Sequence, residues 1–308
     1  MERWLEIPSL SEFIAFVAEK SGVEKPSLIE KDLIIHRILK DIYGSRHFAE
    51  NYLFKGGSCL VKCYFGYYRF SVDLDFTWQD QKVWAGLGKY ELRRHLLEET
   101  GNFGALLEKI AQDAGLEFKN ELKNKKYFEF GGGSRMVTFK LWKKSELVKI
   151  QVNFVDKILF RQKTVMVKTL LDNVQLSRDD RVYFEEFLES YKPFKVKTYD
   201  EKEVLCEKVR AILTRRAQKL RDFYDLFMLE KSGYKIEALK EQITVKIKAC
   251  LRFKRYRTNL ERNRESLEFS AVLEDPFERE LFVVRPPKDF DIFLKRLPNA
   301  LKDTVNQV

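Results

Sequence analysis

A double glycine between two predicted strands is the feature that most restricts how this chain can fold. The apolar Tyr52-Leu53-Phe54 predicts a short buried strand that runs directly into Gly56-Gly57. Ser58 is expected to cap the next helix, which ends near Phe65. Polar and apolar residues alternate over residues 72–77, which predicts a second strand. A strand, a tight turn, a short helix and a second strand in this order indicate a mixed α/β domain.

The double glycine and the serine after it match the requirements of a phosphate-binding turn. Glycine adopts positive φ angles without strain, and a phosphate can approach its backbone closely because it has no Cβ. The free N–H groups and the dipole at the start of a helix also attract an anion. Gly56, Gly57 and Ser58 are therefore candidate nucleotide-binding residues. The same residue types are common in ordinary turns, so the pattern needs support from elsewhere in the chain.

That support comes from two carboxylates on the second predicted strand. Side chains alternate between the faces of a strand, so Asp73 and Asp75 share one face. Two neighbouring carboxylates repel each other unless a cation is present. Oxygen ligands of this kind suit Mg²⁺, which commonly links carboxylates to substrate phosphates. We therefore predict a Mg²⁺ (or Mn²⁺) site at Asp73 and Asp75, with a nucleoside triphosphate (NTP) as the ligand.

The rest of the chain divides into a mixed half and a mainly helical half. Further β segments are predicted at residues 116–122, 127–130, 135–142, 147–155 and 194–197. Gly131-Gly132-Gly133-Ser134 lies between two of them and is expected to form a hairpin turn rather than a phosphate loop. We place a boundary near residue 165, which separates a lobe at residues 1–165 from a mainly helical lobe at residues 166–308.

The charge of the chain favours a polyanionic partner. Lys and Arg number 57 against 47 Asp and Glu, which gives a formal net charge of +10. The basic segment at residues 251–264 mixes arginines with aromatic residues, which suits an RNA backbone and an unpaired base. A solvated helix with its aromatic residues in the core has the same composition. No apolar stretch is long enough to span a membrane, so we expect a cytoplasmic protein with no membrane partner.

The chain resembles a known family through four segments that occur in the family's order. The segments are Phe54-Lys55-Gly56-Gly57-Ser58 with Arg69-Phe70-Ser71-Val72-Asp73-Leu74-Asp75, Glu30-Lys31-Asp32, Glu207-Lys208-Val209-Arg210-Ala211-Ile212-Leu213 with Arg215, and Arg221-Asp222-Phe223-Tyr224-Asp225-Leu226. They are similar to the motifs of the AbiEii/AbiGii toxins, a family of nucleotidyltransferase-like proteins that includes the MenT toxins. The similarity extends over about residues 28–230.

The resemblance implies an α/β (α+β) fold with a polymerase-β-like nucleotidyltransferase core, a mixed sheet and a mainly helical C-terminal lobe that completes the active site. The implied catalytic residues are Asp73, Asp75, Lys208 and Asp222, and Asp225 is the alternative to Asp222. The implied nucleotide-binding residues are Gly56, Gly57, Ser58, Arg69, Ser71 and Lys208. Without the resemblance, Lys208 and Asp222 are two ordinary charged residues on helices.

The sequence differs from relatives of polymerase β at the predicted metal site. Relatives of polymerase β commonly have a third carboxylate on a neighbouring strand. The predicted strand at residues 147–155 offers Gln151 and Asn153 instead. Glu129 and Glu146 are the other candidates. The sequence therefore leaves open whether the site holds one metal ion or two.

The implied function is that of the toxin of a type IV toxin–antitoxin or abortive-infection system. The expected reaction is a Mg²⁺-dependent transfer of a nucleoside monophosphate from an NTP to RNA, with the 3′ end of tRNA favoured. A cognate antitoxin is the expected protein partner. The alternatives are a catalytically weak NTP- and RNA-binding regulator of the same fold, and a kinase-like transferase that acts on protein.

Overall fold

The computed structural model describes residues 8–265 and 275–305. Within these ranges, helices surround a seven-stranded mixed sheet. The strands are β1 Tyr52–Lys55, β2 Asp73–Trp78, β3 Phe128–Gly131, β4 Met136–Lys143, β5 Glu146–Asn153, β6 Lys163–Val167 and β7 Phe194–Thr198. The helices are α1 Leu10–Ser21, α2 Pro26–Gly44, α3 Arg46–Asn51, α4 Gly56–Cys59, α5 Lys89–Asp113, α6 Arg178–Tyr183, α7 Glu185–Ser190, α8 Glu201–Thr214, α9 Leu220–Lys231, α10 Lys240–Cys250, α11 Lys254–Glu265, α12 Pro276–Glu280 and α13 Lys288–Val305.

The strand order β3-β4-β5-β2-β1-β7-β6 places the two predicted carboxylates in the middle of the sheet. β2 pairs antiparallel with β1 and parallel with β5. In this register Asp75 lies between Lys55 on β1 and Gln151 on β5. The expected mixed sheet is confirmed, and Asp75 is paired with one residue on each of the two adjacent strands.

The turn after β1 differs in one respect from the expectation. The helix begins at Gly56, directly after the extended Lys55, and continues as a π-helical turn over Leu60–Phe65. The prediction that Ser58 caps this helix is wrong, because Ser58 lies inside it and its hydroxyl is buried. That hydroxyl donates to the backbone oxygen of Asp73 and hydrogen-bonds with Ser71 Oγ at 2.8 Å, so it connects the turn to β2.

One predicted strand does not form, one observed strand was not predicted, and the predicted hairpin turn is confirmed. Residues 116–122 do not form a strand, since only Glu117 makes a β-bridge, to Trp142. β6 was not predicted, although it pairs antiparallel with β7 at the edge of the sheet. The glycine run forms the expected hairpin turn between β3 and β4, where Gly132 and Gly133 both have positive φ.

Each face of the central strands packs against a different group of helices. On one face Phe54 and Phe76 pack with residues of α2 and α5. On the other face Leu53 packs with the π-helical turn and with α8, α9, α10 and α13. The boundary expected near residue 165 falls within β6, and β7 joins the same sheet from beyond it. The division into lobes at that residue stays a prediction.

Candidate active site

A cavity of about 640 Å³ lies between the sheet and the helices α8, α10 and α11. Gly56 and Gly57 of α4 and Asp75 of β2 line one side, and Lys208 of α8 lines the other. Nine cationic and three acidic side chains line the cavity. They are Lys55, Arg135, Lys157, Lys208, Arg210, Arg215, Lys246, Arg252 and Arg255, and Asp75, Asp156 and Glu207. A concave, strongly cationic site is suited to a polyanionic ligand.

The carboxylates of Asp73 and Asp75 are half-buried at one end of β2. Among the described residues, no hydrogen bond or ion pair involves either carboxylate. Burial, followed by repulsion from Asp73, raises the pKa of Asp75 from 3.8 to about 6, although Lys55, Lys208 and Arg215 act in the opposite direction. Two such carboxylates destabilise the folded protein when no cation is bound, and their oxygens are suited to bind one.

The side chains packed against the turn leave no room for a Cβ at either glycine. Gly56 has a φ of 79°, and a Cβ at this position would overlap the carboxylate of Asp75. A Cβ at Gly57 would overlap the guanidinium of Arg69. The backbone of the turn therefore lies directly against the candidate metal ligand on one side and against a buried arginine on the other.

The structure places Arg69 beneath the turn, where its hydrogen bonds are already used. Only 1% of Arg69 is exposed. Its Nε and Nη2 donate to the two carboxylate oxygens of Asp225 at 2.6 and 2.7 Å, and its Nη1 donates to the Phe70 carbonyl at 2.8 Å. Ser58 and Ser71 hydrogen-bond to each other. These three predicted nucleotide contacts thus hold the turn and β2 together, and none of them lines the cavity.

Lys208 on α8 reaches the cavity between two aspartates of α9. Its Nζ lies 2.6 Å from Asp222 Oδ1 and 2.6 Å from Asp225 Oδ2. Burial alone would lower the pKa of Lys208, but the two carboxylates outweigh it and raise the pKa. Arg215 binds the other oxygen of Asp222 at 2.9 Å. An ammonium has three donors, so Lys208 keeps one for a ligand.

A second charged cluster lies deeper in the cavity. Lys55 contacts Asp156 at 3.0 Å and Glu207 at 3.2 Å. Lys246, which is buried, contacts Asp156, Glu207 and Glu203 at 3.4, 3.3 and 2.5 Å. The lysines hold the pKa of Asp156 well below its usual range despite its burial. This cluster joins β1 and the end of β5 to α8 and α10.

The family to which these motifs belong is decided by comparison with known proteins. A family model described as the nucleotidyl transferase AbiEii toxin of a type IV toxin–antitoxin system matches residues 37–305. The chain belongs to the AbiEii family. No curated protein matches it.

Membership of the AbiEii family confirms the resemblance, the nucleotidyltransferase-type fold and the expectation of an enzyme. The chain is a nucleotidyltransferase of the type IV toxin class, a class that implies a cognate antitoxin. Nucleotidyltransferases in general use an NTP and a divalent metal. Within the described ranges, no helix has both the length and the apolar character needed to cross a membrane.

In this AbiEii structure the residues fit a divalent metal at one place. Asp73 and Asp75 offer carboxylate oxygens that have no partner in the described protein. Asp75 lies against the turn and lines the cavity, whereas Asp73 lies two residues before it on the same strand and does not line the cavity. No group of three or more His, Cys, Asp or Glu side chains in metal-binding proximity occurs among the described residues. On β5 the residue in register with Asp75 is Gln151, an amide and not a carboxylate.

The two carboxylates considered as a third metal ligand do not lie beside Asp75. Glu129 is three strands away, about 14 Å at the usual strand spacing, and its carboxylate binds Lys140 at 3.0 Å. Glu146 is at the start of β5, about 17 Å from Gln151 along the strand, and binds no described residue near β2. Both glutamates are therefore too far away to bind the same metal ion as Asp73 and Asp75.

The site contains charged residues that were not predicted from the sequence, among them Lys55, Asp156 and Lys246. Lys55 had a local signal, because it directly precedes the double glycine. Asp156 and Lys246 had none, since they are separated by 90 positions and meet only in the folded chain. Asp222 was predicted and is brought to Lys208, but it is 3% exposed and does not line the cavity. Its contacts are those of a residue that positions Lys208 and Arg215.

Proposed function

We propose that this AbiEii toxin transfers a nucleoside monophosphate from an NTP to the 3′ hydroxyl of an RNA, with tRNA favoured, in a Mg²⁺-dependent reaction. One observation supports the proposal above all others. The carboxylates of Asp73 and Asp75 share one strand face and have no partner among the described residues, and Asp75 lies against the glycine turn at the wall of a cavity whose charged lining is mainly cationic. This is the arrangement that a metal-bound triphosphate needs on the protein side.

Each part of the cavity has a role in binding the triphosphate. Gly56 and Gly57 lie in the first turn of α4, where backbone N–H groups have no acceptor within the helix, and these N–H groups donate to phosphate oxygens. Asp73 and Asp75 hold Mg²⁺, which neutralises charge on the phosphates when it is bound. Lys208 uses its remaining donor on the negative charge that develops during transfer. Asp222 and Asp225 keep Lys208 protonated and oriented.

The proposed reaction is an in-line displacement at the α-phosphorus. A bond forms between the acceptor hydroxyl oxygen and the α-phosphorus, and the bond from the α-phosphorus to the oxygen that bridges to the β-phosphorus breaks. Pyrophosphate leaves with the bonding electrons, and the hydroxyl proton passes to water. The protein contributes position and charge, which are the main sources of rate in phosphoryl chemistry.

The far wall of the cavity supports RNA as the acceptor. Arg252 lies over the ring of Phe253 at 4.9 Å, and Arg255 lies over the ring of Tyr256 at 5.8 Å. Neither arginine forms an ion pair within the described residues. Uncompensated arginines beside aromatic rings bind phosphates and stack on unpaired bases. A peptide acceptor would offer no comparable match to these four side chains.

A weakly catalytic nucleotide-binding regulator is the second candidate. The observation in its favour is Gln151, an amide in register with Asp75 at a position where polymerase-β relatives have a carboxylate. An amide oxygen is a weaker metal ligand than a carboxylate, and it cannot serve as a base. Binding of NTP without transfer is the result that this candidate predicts.

The proposal is tested with each of the four NTPs, Mg²⁺ and total tRNA, with the label on the α-phosphate in one set and on the γ-phosphate in the other. We expect α-label to enter RNA, and Asp73→Asn or Asp75→Asn to reduce the rate about 100-fold or more, as loss of a metal ligand does. The control is Glu129→Gln, which removes an exposed carboxylate from β3 and should leave the rate unchanged.

Three outcomes would contradict the proposal. Transfer of γ-label to protein would indicate a kinase. NTP binding without transfer to any RNA would favour the regulator. Full activity of both Asp73→Asn and Asp75→Asn would remove the metal site from the mechanism.

A further inference from the structure

A second cavity of about 300 Å³ lies between the start of α5 and the β3–β4 hairpin. The residues that line it are Lys89, Leu92, Arg93, Phe130, Gly133, Ser134 and Arg135. Three of them are cationic and none is acidic. No step of the proposed reaction uses Lys89 or Arg93.

The cations of this second cavity lack anionic partners. Lys89 and Arg93 are exposed and form no ion pair with any described residue. They lie in the first two turns of the 25-residue helix α5, whose N-cap residue Gly88 provides no side-chain cap. The free N–H groups and the dipole at this end of the helix add to the positive potential.

Arg135 connects the second cavity to the active-site cavity, because its side chain lines both. Its Nη1 donates to the Gly132 carbonyl at 3.1 Å. Its Nε is buried and has no hydrogen-bond partner. A buried guanidinium N–H without a partner is rare in a folded protein, so Arg135 would gain a hydrogen bond if its side chain turned toward a phosphate in either cavity.

Aromatic side chains accompany these cations. Phe130 lines the second cavity and is partly exposed, and its ring stacks on Phe128 at 6.1 Å. Tyr90 does not line the cavity but follows Lys89 on the first turn of α5. It is 88% exposed, the highest exposure among the large exposed hydrophobic residues that the structure describes. Cations interleaved with exposed rings fit a strand that offers phosphates and unstacked bases in alternation.

We infer that the second cavity binds the ribose–phosphate backbone of the acceptor RNA, upstream of the 3′ end that reacts in the active-site cavity. The inference rests on the proposed function for its choice of acceptor. Lys89 and Arg93 hold phosphates, Arg135 spans the passage between the cavities, and Phe130 and Tyr90 receive unpaired bases. An acidic peptide would satisfy the cations but would leave both rings without a partner.

The test compares two double variants of the full-length protein that remove the same charge from the same helix. Lys89→Ala/Arg93→Ala removes the cations of the second cavity. Arg94→Ala/Lys109→Ala removes two exposed cations of α5 that line neither cavity. All four positions are exposed, so we expect both proteins to fold. The affinity for a fluorescent single-stranded RNA oligonucleotide is measured by anisotropy over a range of salt concentrations, without NTP.

We expect the first variant to bind the oligonucleotide about tenfold more weakly. Its log–log salt slope should decrease by about 1.4, or roughly 0.7 for each phosphate that the variant no longer neutralises. The control should retain the wild-type slope. Stabilisation by NTP and Mg²⁺ in a thermal-shift assay should be the same in all three proteins, because the triphosphate lies elsewhere. In the transfer assay, the KM for RNA should rise in the first variant alone.

The result that overturns the inference is equal RNA affinity and slope in the wild type and the Lys89→Ala/Arg93→Ala variant. Equal weakening of the two variants would also overturn it, because it would indicate a general effect of charge. Preference for polyglutamate over RNA would assign the cavity to a peptide. A wild type that binds RNA through Lys89 and Arg93 but transfers nothing would refute the proposed function and leave the binding site standing.

Discussion

At the scale of single residues, Asp75 is where the function and the stability of the protein conflict. Its carboxylate is half-buried, has no described hydrogen-bond partner and lies near Asp73. The folded-state pKa of about 6 exceeds the ordinary value of 3.8, so the folded protein takes up a proton that the unfolded chain releases between these pH values. Ionised Asp75 therefore lowers the free energy of unfolding above pH 6, unless a cation is bound.

We predict that Asp75→Asn stabilises the metal-free protein while it removes activity. The gain should be about 1–2 kcal/mol at pH 8, because solvent screens part of the repulsion at this half-buried site. It should decline as the pH falls through 6 and vanish below 3.8, where the wild-type carboxyl is protonated in both states. Urea unfolding in EDTA at several pH values measures the difference.

With Mg²⁺ bound, we expect the wild type to be more stable than Asp75→Asn, since Mg²⁺ stabilises only the protein that binds it. Saturating Mg²⁺ with NTP should raise the melting temperature of the wild type and leave that of Asp75→Asn unchanged. Glu129→Gln is the matched control for the loss of one carboxylate. It should not be stabilised in EDTA, and Mg²⁺ with NTP should raise its melting temperature as in the wild type. If Asp75→Asn is no more stable than the wild type at pH 8 in EDTA, then neither the burial of ionised Asp75 nor its repulsion by Asp73 destabilises the protein significantly.

At the scale of elements, structure with a local cause could be predicted from the sequence. Ser9 caps α1 with a capping box and Asp200 caps α8, and both signals are visible in the chain. The triple-glycine hairpin has a local cause too. β6 has none, because it exists through antiparallel pairing with β7 about 30 residues later. Residues 116–122 have strand-like composition but find no partner beyond one bridge.

The same division applies to the active site. The glycine turn and the Asp73 and Asp75 pair lie within about 20 residues of each other, so their chemistry was visible in the sequence. Lys208 became a candidate only through the family resemblance, since it meets Asp222 and Asp225 by packing of α8 on α9. The role of Arg69 was also hidden, because no local pattern pairs it with Asp225, 156 positions later.

The Arg69–Asp225 pair fastens α9 to the segment that leads into β2, and we predict that it dominates the stability of this contact. Asp225→Asn should lower the free energy of unfolding by about 3–5 kcal/mol, because the buried Arg69 guanidinium and the Lys208 ammonium both lose an ionised partner. The exposed pair of Lys140 and Glu129 is the comparison, and Glu129→Gln should cost less than about 1 kcal/mol.

A double-mutant cycle measures the interaction energy between the two side chains. It compares Arg69→Met, Asp225→Asn and Arg69→Met/Asp225→Asn, the last of which removes both charges together. We expect the double variant to be more stable than Asp225→Asn alone. Additive losses in urea unfolding would show that the two side chains do not depend on each other.

At the scale of the whole molecule, the sheet and the C-terminal helices meet through a buried set of balanced charges. Lys55 belongs to the sheet, whereas Lys246 belongs to α10, and both bind Asp156 after β5 and Glu207 on α8. Glu203 on α8 completes the set, and its other carboxylate oxygen accepts from the Leu159 and Phe160 N–H groups. Arg210 is 4.0 Å from Glu207, so three cations face three carboxylates. The cavity thus has a neutral inner cluster and a cationic outer wall.

We predict that Lys246→Met destabilises the protein by about 3–5 kcal/mol, because it leaves carboxylates buried without their cation. The second variant, Lys246→Met/Glu203→Gln, restores the charge balance and should recover part of the loss, since the amide oxygen of Gln still accepts the two N–H groups. Urea unfolding measures both variants, and thermal shift with NTP and Mg²⁺ measures the cavity. Binding should weaken in Lys246→Met, because the unpaired carboxylates draw Lys55 away from the ligand and repel phosphate. A destabilisation below about 1 kcal/mol in Lys246→Met, or no recovery in the double variant, would show that other contacts hold the sheet and the helices together.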